Sequence, residues 1–366
     1  MLRILTGDRP TGALHLGHYV GSLAHRVELQ RRGELFVLIA DLHVLTTRPS
    51  REEVAALPGR VRELMLDYLA VGLAPERVVF YLQSGVPELA ELYTLLQPLV
   101  TLARLQRLPS LKEMAAAAGT ELTFALLGYP VLQAADILGL RAQLVPVGRD
   151  NLAHVEVTRE IARRFNHRYG AVFPVPRALV GQVPELAGTD GVHKMSKSRG
   201  NAILLRDDPE TVARKVRSMY TDPTRVRADV PGRVESNPVF QYLDAFDGDR
   251  AAVEQLKQRY RLGRVGDVEV KERLARVISS LLAPWQERRA RLARDAGLLD
   301  ELVARGTKRA RVLAAETLRA AQGAMGFTRA WSALGLARES HGRTVPTRRG
   351  RGRAERIAAG PAKEGL

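Results

Sequence analysis

Short apolar runs alternate with longer segments of helical spacing through the first two hundred residues. The pattern predicts strands at 2–6, 35–40, 78–83, about 143–147 and about 202–205. The segments between them are amphipathic, so the alternation reads as βαβ units around a parallel sheet. A helix is expected to open at His15-Leu16-Gly17-His18 and to run to about Gln30. Residues from about 86 to 140 read as helices inserted between two strands. From Asp208 to Phe327 the pattern turns helical, with no strand. Pro209-Glu210 can open a helix there, basic through Arg214, Lys215 and Arg217. The expected fold is α/β: a Rossmann-type parallel sheet over 1–205 with a helical insertion, then an all-helical domain over 206–327. A basic tail over 328–366, with the low-complexity run Arg348-Arg349-Gly350-Arg351-Gly352-Arg353, is expected to be disordered.

Composition narrows this picture only in places. A chain of 366 residues, 45% hydrophobic, suits two domains with cores of their own. The absence of cysteine excludes disulfides and thiolate-bound zinc. The most apolar stretch, Ala125 to Leu140, is broken by Pro130, Gln133 and Asp136, so it does not read as a membrane span. Met1-Leu2-Arg3 leads straight into the first strand without a signal pattern, and a cytoplasmic protein is expected. The formal charge of +16 suggests a polyanionic partner. Residues 337–366 carry eight Lys/Arg against three Asp/Glu, which leaves +11 on the rest. Charge alone does not say which polyanion.

Two motifs carry the chemistry. His15-Leu16-Gly17-His18 opens a helix just after the first strand, where free N–H groups and the dipole favour phosphate. His15 and His18, three apart, share one face of the first turn and can donate to phosphate oxygens. Gly17 lets backbone approach a nucleotide closely. Far down the chain stands Lys194-Met195-Ser196-Lys197-Ser198. Only 8 of the 56 basic residues are lysine, and two of them lie in this pentapeptide. Lysine is a compact charge on a flexible stem, suited to following a moving phosphate. Either motif alone could be an ordinary helix start or a solvated loop; the pair in this order points to nucleotide chemistry. Gly7, Asp41, Gln83 and Gly148 fall at carboxyl ends of predicted strands, where open α/β sheets bind ligands.

With these residues the chain resembles the class I aminoacyl-tRNA synthetases, and further residues narrow the resemblance to the bacterial tryptophanyl-tRNA synthetases. Thr6-Gly7-Asp8-Arg9-Pro10-Thr11-Gly12 is similar to that family's first loop. Asp41-Leu42-His43 and Gln83-Ser84 follow the second and third strands. The stretch from Tyr129-Pro130 to Asp136-Ile137-Leu138 resembles the amino-acid-binding helix, and Val145 to Asn151 the ribose and amino-acid loop. The match runs over about 2–327. It implies ATP-dependent activation of L-tryptophan, then transfer to tRNA specific for tryptophan. Magnesium accompanies ATP, with no dedicated metal site. The insertion makes a homodimer, and the all-helical domain binds the anticodon.

The resemblance assigns roles residue by residue. His15, His18, Lys194, Lys197 and Lys112 are the catalytic set. Arg9, Gly17, Gly148, Asp150, Met195 and Ser196 join His18, Lys194 and Lys197 around ATP. Asp136 accepts from the indole N–H, while Tyr129 and Asn151 hold the substrate's ammonium or carboxylate. Leu5, His43, Gln133, Val145 and Val147 line the ring pocket, and Gly7 also belongs to the substrate-binding set. A buried carboxylate on an apolar helix needs a donor, and an indole nitrogen only donates. The competing local reading is a salt bridge from Asp136 to Arg141 or to another residue of the insertion. Several positions depart from the family's habit. His15 and His18 stand for Thr and Asn, Arg9 and Asn151 for Gln, Leu5 for Phe and Gln133 for Met, as in a divergent or second-copy form. Competing functions are a tyrosyl enzyme, a small nucleotidylyltransferase and a non-catalytic paralogue. Tyr129-Pro130 with Ala134-Ala135-Asp136 weighs against the first. The lysine motif with a helical C-terminal region weighs against the second, and the intact histidines and lysines against the third.

Overall fold

The computed structural model describes residues 1–335 except 110, 112, 113, 115–118, 120, 149, 150, 181–185, 198, 223, 224, 226 and 236. The Arg348–Arg353 run lies outside the described residues. Five parallel strands form one sheet: β1 Arg3–Asp8, β2 Glu34–Ile39, β3 Val78–Leu82, β4 Leu144–Val147 and β5 Arg177–Val180. Their order is β3-β2-β1-β4-β5. Sequence order therefore reverses between β1 and β4, and the ligand crevice of such sheets opens beyond that point.

One expected strand is corrected. The fifth strand is Arg177–Val180, paired with β4, not residues 202–205. The latter make an isolated antiparallel bridge, His15↔Leu204. Ala202, Ile203 and Leu205 are apolar because they are buried beside the start of the first helix. Leu16 donates its N–H to the Ile203 carbonyl and Leu205 donates to the Leu14 carbonyl, each at 3.0 Å. β5 is short and only partly buried, so its apolar signal is weak.

Period-2 alternation along the strands feeds two cores, as expected for a sheet covered on both faces. Ile4, Leu35, Val37, Ile39, Val78 and Phe80 point to one. Leu5, Phe36, Leu38, Val79, Tyr81 and Val145 point to the other. The helix α1 spans residues 16–29, with a π-helical turn at Tyr19–Leu23. Next comes α2, Leu57–Ala70. Between β3 and β4 lie α3, Glu88–Leu96, and α4, Phe124–Gly139, as the insertion pattern predicts. The helix α5, Leu152–Tyr169, leads from β4 toward β5.

No strand follows Asp208 among the described residues. The main helices there are α6 Pro209–Arg217, α7 Pro238–Phe246, α8 Arg250–Arg261, α9 Asp267–Leu292 and α10 Ala296–Ala324. Their buried Leu243, Leu274 and Ile278 belong to the same core as Ile4 and Val37. α10 returns along β3, the edge of the sheet. Leu82 donates its N–H to Thr307 Oγ1 at 3.0 Å, which covers an edge donor. Gly306 permits this approach: a Cβ there would lie 1.9 Å from the Phe80 carbonyl oxygen.

Candidate active site

The helix start and the lysine motif meet. His15 is the N-cap of α1 in extended backbone. Its N–H donates to His18 Nδ1 at 3.2 Å, so neutral His18 carries its proton on Nε2. The two imidazole centroids are 3.7 Å apart. Burial, then the neighbouring His18, Lys197 and Lys194 charges, lowers His15 to about 3. Burial lowers His18 to about 4; the Asp8 charge opposes this, and Lys197 adds to it. Both rings are therefore uncharged N–H donors at neutral pH, and His15 Nδ1 is buried without a hydrogen-bond partner. The Gly17 N–H donates to Met195 Sδ at 3.3 Å, which seats the lysine motif on the helix start. A Cβ at Gly17 would press on the His15 ring at 3.0 Å. Lys197 Nζ donates to the Thr11 carbonyl at 3.3 Å, and burial lowers its pKa. Lys194 bridges Ala187 through its backbone.

Buried charges hold these pieces. Asp8, at the end of β1, accepts from both Arg26 Nη atoms, at 2.5 and 3.0 Å, and from the Tyr68 hydroxyl at 2.6 Å. Burial opposes charge on Asp8, yet Arg26 and Tyr68 hold its carboxyl at about 2. Asp67 accepts from the Leu14 N–H and from Arg289 Nε, each at 3.0 Å. It thereby ties the residue before His15 to α9. Tyr19 of α1 packs on Trp285 of α9, with ring centroids 4.4 Å apart.

A second group of polar side chains is buried around the carboxyl ends of β2 and β3. Asp136 on α4 is 1% exposed. Gln83 Nε2 donates to both of its oxygens at 2.9 Å, and His43 Nε2 lies 3.0 Å from Oδ2. Arg141 is not its partner and donates instead to the Val172 carbonyl at 2.7 Å. Burial pushes the Asp136 carboxyl up, while His43 and Gln83 restrain the shift. Gln83 Oε1 and the Tyr81 hydroxyl are buried there without partners. His43 meets Tyr129 edge-on at 6.3 Å. The Tyr129 hydroxyl lies 2.6 Å from His154 Nε2, and His154 Nδ1 lies 3.0 Å from Asn151 Oδ1. One polar chain thus runs from Gln83 through Asp136 and His43 toward Tyr129, His154 and Asn151.

The remaining expected residues sort by what surrounds them. Leu5 and Val145 are buried in one core, and Val147 packs against it. Gly7 has a packing reason of its own, since a Cβ would lie 2.5 Å from the Leu38 carbonyl oxygen. Arg9 donates to Thr47 Oγ1 at 3.3 Å. Gln133 is half-buried on α4, one turn before Asp136, and Gly148 is exposed just past β4. Ser196 donates its N–H to Asn201 Oδ1. Lys112 and Asp150 lie outside the described residues. Sequence reasoning missed Asp67, His154 and Asn201. Asp67 had the signal used for Asp136, a lone carboxylate within the apolar run Leu64 to Ala70. His154 and Asn201 had none, because their partners are set by folding.

A parallel doubly wound sheet with a histidine-bearing helix start and a lysine loop seated on it defines a nucleotide-activating enzyme of the class I synthetase kind. The family described as tRNA synthetases class I (W and Y) matches residues 1–283. The tryptophan–tRNA ligase of Treponema pallidum (strain Nichols) is 59% identical over 329 residues, 90% of this chain and 98% of that protein. That of Borreliella burgdorferi is 49% identical over 334 residues, 90% of this chain and 95% of the relative. The tryptophanyl-tRNA synthetase of Campylobacter jejuni, solved with ADP and tryptophan, superposes with a TM-score of 0.78 at 32% identity. That likeness covers 89% of this chain and 100% of the solved one. The chain belongs to the class I tRNA synthetases of the tryptophan and tyrosine family.

Proposed function

We propose that this chain is a tryptophan–tRNA ligase. It activates L-tryptophan with ATP and esterifies tRNA specific for tryptophan. The tryptophan carboxylate attacks the α-phosphorus, the bond to the β-phosphate oxygen breaks, and pyrophosphate leaves. The terminal adenosine 2′-hydroxyl of the tRNA then takes the acyl group, and AMP leaves. The carrying observation is the contact of Gly17 with Met195, which joins the two nucleotide motifs across the chain. No general base is required, since the nucleophile is already ionised. Catalysis rests on positioning and on donors aimed at developing charge. His15 and His18 supply neutral N–H donors, and Lys194 and Lys197 close over the departing pyrophosphate. Arg9, Gly17, Gly148, Met195 and Ser196 complete the ATP site, with Lys112 and Asp150 assigned by resemblance.

Asp136 reads the indole N–H in this scheme. Gln83 and His43 hold its carboxylate in place. Tyr129 and Asn151 face the amino-acid end, and Leu5, His43, Gln133, Val145 and Val147 surround the ring, with Gly7 also in the substrate-binding set. Magnesium enters with the phosphates of ATP as part of the substrate. Among the described residues no group of three His, Asp or Glu could hold a metal ion. Residues 206–327 bind the anticodon, and the insertion pairs two copies of the chain. No helix among the described residues is long and apolar enough to cross a membrane. The enzyme acts in the cytoplasm, where its tRNA is.

The test is ATP–pyrophosphate exchange with each amino acid, followed by charging of tRNA. Exchange is expected with tryptophan, and exchange with tyrosine alone would overturn the assignment. Wild type should also discriminate against a benzothiophene analogue, with sulfur in place of the ring N–H, by up to about 10⁴–10⁵ in kcat/KM. Asp136→Ala should collapse that ratio through lost activity toward tryptophan. A ratio that survives would make Asp136 a structural residue.

A further inference from the structure

Asn201 lies four residues beyond Lys197 and has no part in the assignments above. It is 4% exposed. Its Oδ1 accepts from the Ser196 N–H at 2.7 Å. Its Nδ2 donates to the Lys194 carbonyl at 3.3 Å and to Asp190 Oδ2 at 2.9 Å. These partners fix the orientation of the amide. A peptide N–H needs the oxygen, while a carbonyl and a carboxylate need the NH₂. The Asn201 backbone carbonyl accepts from the Thr189 N–H at 2.9 Å. One buried side chain therefore grips the peptide groups on both sides of Met195, the residue whose sulfur meets the Gly17 N–H.

Asp190 completes the clasp from the other limb of the loop. Its Oδ1 accepts from the Val192 and His193 N–H groups at 3.1 and 3.2 Å. Burial works against its charge, but the Asn201 amide and these backbone donors keep its carboxyl at about 2. Gly188 leaves room for the clasp, since a Cβ there would lie 2.1 Å from Asn201 Nδ2.

We propose that Asn201 is a positioning residue of the adenylation step: by holding the Lys194 carbonyl and the Ser196 N–H, it fixes where the loop presents Lys194 and Lys197 above the helix start. It acts through the loop and does not itself touch the phosphates. The inference rests on the proposed phosphate role of the two lysines. Gly188→Ala offers an independent route to the same defect, because the added methyl must displace the amide. Asn201→Asp sets a second carboxylate beside Asp190. It also turns an acceptor on the Lys194 carbonyl, which needs a donor.

The experiment measures tryptophan-dependent ATP–pyrophosphate exchange on the full chain, with KM for tryptophan and the unfolding midpoint of each variant. Asn201→Ala is expected to lower kcat about 10²-fold, with KM for tryptophan within about twofold of wild type. Gly188→Ala should lose rate comparably, and the double variant should be no slower than the worse single one, as for residues acting as one unit. Asn201→Asp should be at least as slow as Asn201→Ala. The inference is overturned if Asn201→Ala keeps its kcat while Lys194→Ala and Lys197→Ala lose theirs. It is also overturned if KM for tryptophan rises with the rate loss, or if Asn201→Asp keeps its rate. Full rates in both lysine variants would instead overturn the phosphate role on which the inference rests.

Discussion

His15 and His18 sit uncharged at the proposed triphosphate site. Burial is the first cause, and the nearby lysines add to it. A cationic imidazole at a helix N-terminus would also oppose the dipole. The sign of the pH dependence follows. The unfolded chain protonates both rings near the ordinary histidine value of about 6.5, whereas the native rings resist until about 4 and about 3. Their contribution to stability is thus fully present above about pH 6.5 and is lost as pH falls toward those native values. Urea unfolding of wild type between pH 7.5 and 4.5 should show falling stability. The His15→Thr/His18→Asn variant should show a shallower fall. Equal slopes would mean that the rings titrate normally in the folded protein. Asp8 enters only at the acid end of this window, because its carboxyl protonates near the ordinary value of about 3.9 in the unfolded chain and at about 2 in the native state.

At the scale of elements, the seat of α10 on the sheet turns on a close backbone approach at one residue. The helix lies against the edge strand β3, and Gly306 brings the two backbones together. Gly306→Ala would force the added methyl into the Phe80 carbonyl. The expected cost is about 1–3 kcal/mol, typical of overpacking a fitted contact, read from the urea midpoint. Gly323 in the same helix has nothing within 4 Å of a built Cβ. Gly323→Ala should therefore be neutral or gain about 0.5–1 kcal/mol from helix propensity. If both substitutions behave alike, the close packing of α10 on β3 is not what holds the edge. The π-helical turn in α1 fits this view of locally adjusted elements. It lies just past His18, in the stretch where Tyr19 turns to meet Trp285.

The whole molecule joins its parts through shared core and buried ion pairs. The Asp67–Arg289 contact and the common hydrophobic cluster link the sheet to the C-terminal helices. Movement of those helices would therefore be felt at Leu14 and His15. The insertion, by contrast, leaves large apolar side chains uncovered. Leu102 is 57% exposed and Phe124 is 74% exposed. Exposed groups of this kind fit the proposed pairing of two chains. Sedimentation at micromolar concentration should show a dimer for wild type and a monomer for Leu102→Asp/Phe124→Asp. A dimer that survives both charges would place the interface elsewhere.

Much of this was legible in the sequence because it is local or periodic. β1 and β3 follow from short β-branched and apolar runs, and α1 from its start motif. The two nucleotide motifs announce themselves by residue type and order. Asp136 stood out as a carboxylate in an apolar helix. The fifth strand was misplaced because Ala202–Leu205 and Arg177–Val180 compete on hydrophobicity alone, and the stronger run is buried outside the sheet. Only tertiary structure could decide that Gln83 and His43 grip Asp136, that Asp67 reaches Leu14, or that Asn201 clasps the lysine loop. Each of these joins a side chain to a donor or acceptor whose position the chain pattern does not encode. Periodicity records which face of an element is buried; it does not record which polar group waits there. That is settled when the strands align and bring distant loops to one end of the sheet.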